Sequence, residues 1–458
     1  MDTQQLHAAE RRLHQFLDEL VSPMGRAERQ HWASMYIRGL LLDGERKSIE
    51  PMAARLPGAD VQALRQFVNQ SPWPWEPVQE ALTGAVVDAL LPEAVYLLDA
   101  TSFPKQGTHS VGVARQYCGA LGKTANCQVA VSVHLGTERT SVPLTWALYL
   151  PESWTDDPGR RAEVGIPPTV QHQPKTDLAL ACLDRLQTWG LPPRPVLADS
   201  EFGNSWDVRE GLHTRGYPYC VQVEATTGAW ATRPVPPDPL PTTGRGRPRT
   251  RPRRDEVPTP ASLAALARAL PARAWHTVTW RPGTKGPLTS RFARFPVWCA
   301  HAWQRGGPFA PRAETCLVEW PPEAPAPTKY WLADLRGDPL GLRRLVRLAK
   351  GRWRIEQDYR ELKDELGLDH FEGRSWTGWH HHVTLVSMAY AFLVLERARA
   401  KKNLAADVAP DPAPAPAAAP RPAGCGGSAG CAPHASADRK STRLNSSHIE
   451  PSRMPSSA

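Results

Sequence analysis

Arg352-Trp353-Arg354-Ile355-Glu356-Gln357-Asp358-Tyr359-Arg360-Glu361-Leu362-Lys363 sets an acid among bases at helical spacing. At about 3.6 residues per turn, steps of four and seven return to nearly one azimuth, so Arg352, Glu356 and Lys363 share a face. A carboxylate between two cations has two readings. It is either a solvated surface laced by i,i+4 ion pairs, or a metal ligand set beside groups that grip phosphate. The run alone leaves both open.

Upstream, two apolar runs end in an aspartate. Val95-Tyr96-Leu97-Leu98-Asp99 leads into the polar stretch Ala100-Thr101-Ser102-Phe103-Pro104-Lys105-Gln106-Gly107, which reads as a turn. Pro195-Val196-Leu197-Ala198-Asp199 leads into Ser200-Glu201-Phe202-Gly203-Asn204. Short continuous apolar runs are buried sheet strands, and an acid at their end points into the crevice where open α/β sheets carry their sites. Each aspartate could instead cap the following helix. Three gathered carboxylates repel by about 4 kcal/mol per pair at about 4 Å and an effective dielectric of about 20. Their meeting therefore requires a compensating charge. Two magnesium or manganese ions, roughly 3.5–4 Å apart, would supply it and could activate water against a phosphodiester.

Several further stretches carry a family resemblance: Gly112-Val113-Ala114-Arg115-Gln116-Tyr117, Asn126-Cys127-Gln128 and Ser153-Trp154-Thr155-Asp156-Asp157-Pro158. Together with Tyr96 to Asp99, Ser102 to Gly107, Ala198-Asp199 and Arg352 to Gln357, they resemble the DDE-type transposases of bacterial insertion sequences, in particular the insertion-sequence 701 group. The likeness runs from about residue 20 to about 395. It implies an RNase H-like catalytic domain, metal-dependent DNA strand cleavage and strand transfer, and an acidic triad of Asp99, Asp199 and Glu356 holding two Mg2+ or Mn2+ ions. The helix also resembles a wider transposase signature of tyrosine, arginine, glutamate and lysine, with Ala349 standing where the tyrosine belongs. Glu361 and Glu365 compete for the third acid and Glu201 for the second. Glu356 is preferred because it alone has an arginine four before and a lysine seven after.

The implied partner is double-stranded DNA, both transposon ends and target, bound by a homodimer. The cations expected to touch it are Arg352, Lys363, Arg360 and Lys105, with Arg245, Arg247, Arg249 and Arg251 of a basic strip. That strip, Gly244 to Arg254, holds six arginines in eleven residues among glycines and prolines that forbid a helix. It suits a phosphate backbone or minor groove.

Composition agrees with this partner. A chain of 458 residues exceeds what one core usually serves, and a net charge of +9 with pI near 9.2 suits a polyanion. Cys118, Cys127, Cys182, Cys220, Cys299 and Cys316 lack zinc spacing and read as reduced thiols. Consecutive helical residues diverge, so His380-His381-His382 cannot share one metal and is expected to be solvated or to face DNA. The start lacks signal-peptide features and no apolar run is long enough to span a membrane. A cytoplasmic, nucleoid-associated protein is the expectation.

Along the chain, residues 1–88 predict a helical DNA-binding domain. Within it Ser48 starts one helix, Pro57-Gly58-Ala59 makes a turn and Asp60 caps a second helix ending near Gln70, with Gln62, Arg65, Gln66 and Asn69 outward. Residues 89–225 predict the first part of an α/β, RNase H-like domain with a mixed five-stranded sheet. Its strands lie at 95–99, 128–135 (half-buried), 144–150, 195–199 and 219–223, with a helix over 177–189. Residues 226–334 predict a mostly β insertion whose tryptophans build a core. Residues 335–400 return to the catalytic domain with the glutamate helix and an apolar helix, Val383 to Leu395. The Ala-Pro and Gly-Ser stretches of 401–458 predict disorder, and from about Arg439 the chain reads as translated sequencing-adapter sequence, which implies a lost natural C-terminus. The alternative to a transposase is a catalytically inactive DNA-binding relic that represses or occupies transposon ends.

Overall fold

The amphipathic periodicity of the first ninety residues condenses into helices α1 (Thr3–Val21), α2 (Ala27–Leu41), α3 (Ile49–Ala53), α4 (Val61–Asn69) and α5 (Trp75–Leu90). The computed structural model describes residues 3–407 except 91–93, 236–256, 284–285, 301–302, 304–308, 310 and 338–339. The α3–turn–α4 unit lies where the sequence places it. Asp60 caps α4 by accepting from Ala63 N at 2.6 Å, which satisfies one of the orphan amides of the first turn. Leu64, Phe67 and Val68 face the core, while Gln62, Arg65 and Gln66 are exposed.

A mixed sheet follows, with β1 (Val95–Pro104), β2 (Ala114–Cys118), β3 (Lys123–Gly136), β4 (Ser141–Leu148), β5 (Val196–Ala198) and β6 (Tyr219–Val223). The order β4-β3-β1-β5-β6 has β1, β5 and β6 parallel and β3 antiparallel to its neighbours, while β2 pairs with the start of β3. Helices α6 (Glu152–Thr155), α7 (Pro158–Val164) and α8 (Lys175–Thr188) precede β5; α9 (Ser200–Gly203) and α10 (Trp206–Thr214) lie between β5 and β6.

Two expectations need correction here. The stretch from Ala100 to Pro104 is no turn. The long partner β3 pairs with β1 along its whole length, from Val95↔Gly136 to Pro104↔Cys127, and holds those polar residues in the strand. Nor is β3 half-buried: every residue from Cys127 to Gly136 is buried, because both faces of this central strand are covered.

After β6 the chain forms β7 (Gly228–Trp230), β8 (Ala261–Ser262), α11 (Leu263–Arg268), β9 (His276–Gly283), β10 (Gly286–Cys299), β11 (Ala313–Trp320) and β12 (Lys329–Asp334). Strand β12 pairs antiparallel with β6, from Tyr330↔Val223 to Asp334↔Tyr219, so these strands prolong the first sheet into one of twelve strands among the described residues. Met1–Ala406 is one compact unit, and the boundaries expected at 88, 225 and 334 fall inside it. Arg245, Arg247, Arg249 and Arg251 of the basic strip lie outside the described residues.

Helices α12 (Leu342–Gly351) and α13 (Trp353–Asp364) meet at Arg352, whose backbone stays helical, and α14 (Trp376–Asp407) closes the unit. Helix α14 runs past the boundary expected at 400; the tail from 408 lies outside the described residues. Its apolar part is buried from Trp379 through Phe392, between the N-terminal helices and β4: Gln79 donates to Thr384 Oγ1, and Trp146 on β4 donates to Ser387 Oγ.

His380, His381 and His382 do diverge, but into the core rather than toward solvent or DNA. His380 stacks on Trp75 at 4.5 Å, His381 on Trp73 at 3.5 Å and His382 on Phe371 at 5.3 Å. His381 also lies 2.9 Å from the carbonyls of Val68 and Trp73, and His382 2.9 Å from the Tyr36 hydroxyl. Burial pulls the three down to about 3, 4 and 3, so they are neutral structural links. No helix among the described residues is long and apolar enough to cross a membrane.

Candidate active site

Parallel pairing of β1 with β5 ends at Leu98↔Ala198, so Asp99 and Asp199 each follow the last paired residue of adjacent strands. Asp99 lies just where its parallel partner stops. Asp199 leaves β5 as the cap of α9, its Oδ1 accepting from Glu201 N at 3.0 Å and Phe202 N at 3.4 Å. The capping reading of this residue therefore holds. Helix α9 is pressed against β6: a Cβ on Gly203 would lie 1.9 Å from the Gln222 carbonyl oxygen. Only glycine allows that approach.

Glu356, the expected third acid, lies on α13. Arg352 Nη1 donates to Asp99 Oδ2 at 2.9 Å, and its Nη2 donates to Glu356 Oε1. One guanidinium thus ties an acid of the sheet to the acid one turn along the helix. Asp99 is buried and Glu356 exposed. Burial pushes the Asp99 carboxyl up to about 7; Arg352 opposes this, while Asp199 and Glu356 reinforce it. Asp199 is also raised, by burial first and by Glu201, again against Arg352. Burial works against the charge of Arg352, but Asp99, Glu356 and Asp199 hold it above its ordinary value.

Among the described residues, no three His, Cys, Asp or Glu side chains stand in an arrangement that could hold a metal ion. The countercharge between the acids is Arg352. Chemically, the donor set is nevertheless suited to a hard divalent cation: all carboxylate oxygens, with Asp99 and Asp199 both desolvated and raised, Asp99 in part by Asp199 and Asp199 in part by Glu201.

Lys363 Nζ donates to the Ser102 carbonyl at 2.9 Å and sits 5.4 Å from the Phe103 ring, and burial lowers its pKa. Lys105 Nζ donates to the Phe371 carbonyl at 2.6 Å, and burial lowers it to about 8. Arg360 is exposed. Of the rival acids, Glu201 pairs with Lys175, Glu361 is held by Arg397, Gln357 and Tyr390, and Glu365 is exposed where α13 ends.

Four residues behind the site escaped the sequence reading: Ser132, His134, Asp358 and Tyr359. Tyr359 donates its hydroxyl to the Asp99 carbonyl at 3.2 Å. The signal for Asp358 and Tyr359 was present, since both fall on the inner face of the quoted helix. Ser132 and His134 sit in an apolar strand with nothing local to mark them. Helix α12 also exposes Arg343, Arg344 and Arg347, an acid-free basic face that precedes Arg352.

Residues 19–287, more than half of the chain, match the family model described as DDE superfamily endonuclease. That stretch contains Asp99 and Asp199 and ends before Glu356. A protein described as a probable transposase for insertion sequence element IS701, from Microchaete diplosiphon, is 31% identical over 169 residues. The alignment covers 36% of this chain and 41% of that relative, so less than half of the relative's length is matched. With more than half of its length matched by that model, the chain belongs to the DDE superfamily endonucleases.

Proposed function

We propose that this chain is an insertion-sequence transposase that binds transposon ends, nicks the DNA and joins the freed 3′ end to a target. The observation that carries this reading is the Arg352 bridge, which brings Asp99 of β1 and Glu356 of α13 to one guanidinium beside Asp199. The sheet order β4-β3-β1-β5-β6, with the second strand of the meander antiparallel, supports an RNase H-like core made of 89–225 and 335–400, with 226–334 as its insertion and 1–88 as the end-binding part.

Asp99, Asp199 and Glu356 are the residues that would hold two Mg2+ or Mn2+ ions, which supply an activated water and charge relief at the leaving oxygen. Arg352 caps α13 and pairs with the acids, Lys363 turns to the Ser102 carbonyl, and Arg360, one turn beyond Glu356, is exposed, so a DNA backbone lying on this helix meets Arg360 first and the other two on leaving their present partners. Exposed Gln62, Arg65 and Gln66 of α4, with half-buried Asn69, suit base edges and phosphates. The arginine strip, Arg245 to Arg254, is assigned to the phosphate backbone, where six contacts would change the salt slope by about five units. Handling two ends together calls for a homodimer, and the work is placed in the cytoplasm on the nucleoid.

A second reading is a DNA-binding relic, in which Arg352 remains the lasting countercharge of Asp99 and Glu356. Supercoiled-plasmid nicking with Mg2+, run beside a gel-shift assay on end DNA, separates the two. Metal-dependent nicking is expected; binding without nicking would favour the relic.

A further inference from the structure

We infer that Asp358 and His134 are positioning residues that fix the rotation and height of the glutamate helix, and so aim Glu356 at Asp99. This rests on the proposed function of the acid site.

Two acids spaced two residues apart on a helix point to nearly opposite sides. Glu356 faces outward and Asp358 inward, where it is 1% exposed. Aspartates are almost never that buried without partners. Asp358 has three, each from a different element: Ser141 Oγ of β4 donates to Oδ2 at 2.6 Å, His134 Nδ1 of β3 lies 2.8 Å from Oδ2, and the Tyr390 hydroxyl of α14 donates to Oδ1 at 3.0 Å. From His134 the contacts continue toward the site. Its Nε2 is 2.9 Å from Ser132 Oγ, which meets the Tyr359 hydroxyl at 2.8 Å, and Tyr359 donates to the backbone carbonyl of Asp99. Ser132 is also the cross-strand partner of Asp99. A continuous polar path therefore starts and ends on α13 and touches the strand acid.

The rest of the inner face, Ile355 and Leu362, packs by apolar contact, which is non-directional and tolerates sliding. A slip of one residue would turn Glu356 by about 100° and shift it about 1.5 Å, enough to break the bridge through Arg352. Directional hydrogen bonds from three elements forbid that slip, in the way that buried polar groups set register elsewhere. All four are buried, and their side-chain hydrogen bonds run to one another, to Ser141 and Tyr390, and to the backbone of Asp99.

The test compares Asp358→Leu, Asp358→Asn and Tyr359→Phe with wild type by Mg2+-dependent nicking of supercoiled plasmid, reading kcat and KM separately. Amide hydrogen exchange over 353–364 is measured in parallel. Asp358→Leu should lower kcat about a hundredfold, as expected for a misplacement near 1 Å, with KM unchanged. Asp358→Asn, which keeps one oxygen to accept from either Ser141 or Tyr390 and can only donate its amide to the other hydroxyl, should recover part of that loss. Tyr359→Phe removes a single hydroxyl and should slow kcat by about fivefold to tenfold; it decides the matter if Asp358→Leu does not fold. Wild-type kcat in the folded variants would overturn the inference. If wild type itself nicks nothing, the proposed function fails and exchange decides: faster exchange confined to 353–364 in the variants supports positioning, and unchanged protection overturns it.

Discussion

Replacing Arg352 by Gln removes the one positive charge shared by the acids, and its effect should depend on both pH and divalent metal. The Arg352 and Asp99 side chains are 19% and 12% exposed, so solvent screens this pair little. Glu356 is 56% exposed and its share is small. Removing one partner of a largely buried pair costs about 3–5 kcal/mol. Spread over roughly 400 ordered residues at about 2.1 cal/mol/K each, that is a fall in Tm of about 4–6 °C. The sign with pH follows from Asp99. Its folded pKa, about 7, already lies above the unfolded value near 3.9, and losing Arg352 drives it higher. The penalty therefore belongs to the ionised form, is absent at low pH where Asp99 keeps its proton, and grows as pH rises. Thermal melts followed by circular dichroism at pH 5.5 and pH 8.5 should show little loss at the lower pH and the full loss at the higher. Added Mg2+ should restore more stability to Arg352→Gln than it adds to wild type, because in wild type it meets acids already paired. Equal melting of variant and wild type at pH 8.5, or an equal fall at both pH values, would refute the reasoning.

Glu356→Gln should abolish nicking and keep end binding in a gel shift, whereas Glu361→Gln and Glu201→Gln should retain nicking; lost activity in either of the latter two alone would move the third or second acid. Asp99→Asn, which cannot ionise but takes from Arg352 its buried partner, should gain stability relative to wild type between pH 5 and pH 8 as the wild-type carboxyl, raised by burial, titrates through about 7; a difference that moves the other way with pH would contradict the buried, raised carboxyl. Gly203→Ala forces a Cβ onto the Gln222 carbonyl, so it should cost about 1–3 kcal/mol in urea unfolding and slow nicking by displacing Asp199, and a neutral result would mean that α9 can lift off β6 freely.

Asp99, Asp199 and Glu356 stood out as candidates because their signals are local. A run of apolar residues stops at Asp99 and another at Asp199, and helical arithmetic puts Arg352 on the face of Glu356. Asp60 was legible for the same reason, since a cap is settled within three residues. What arithmetic could not supply was the use of Arg352, whose partner Asp99 is brought in from a distant strand. The length of β1 was hidden likewise: Ala100 to Pro104 are turn-like by composition but are held extended by β3. His380 to His382 looked solvent-facing because their carbonyl and ring partners, Val68, Trp73, Trp75, Tyr36 and Phe371, come from elsewhere in the chain. The continuation of the sheet through β12 was equally invisible, for strand pairing between β6 and β12 is a long-range choice that neither run announces.

The central claim is that Asp99, Asp199 and Glu356 together take up divalent cations. Anomalous scattering from crystals soaked in Mn2+ tests it most directly. Manganese peaks within coordinating distance of all three carboxylates, with Arg352 turned away from at least one of them, are the predicted result. Peaks elsewhere at saturating Mn2+, with Arg352 still bridging Asp99 and Glu356, would contradict it.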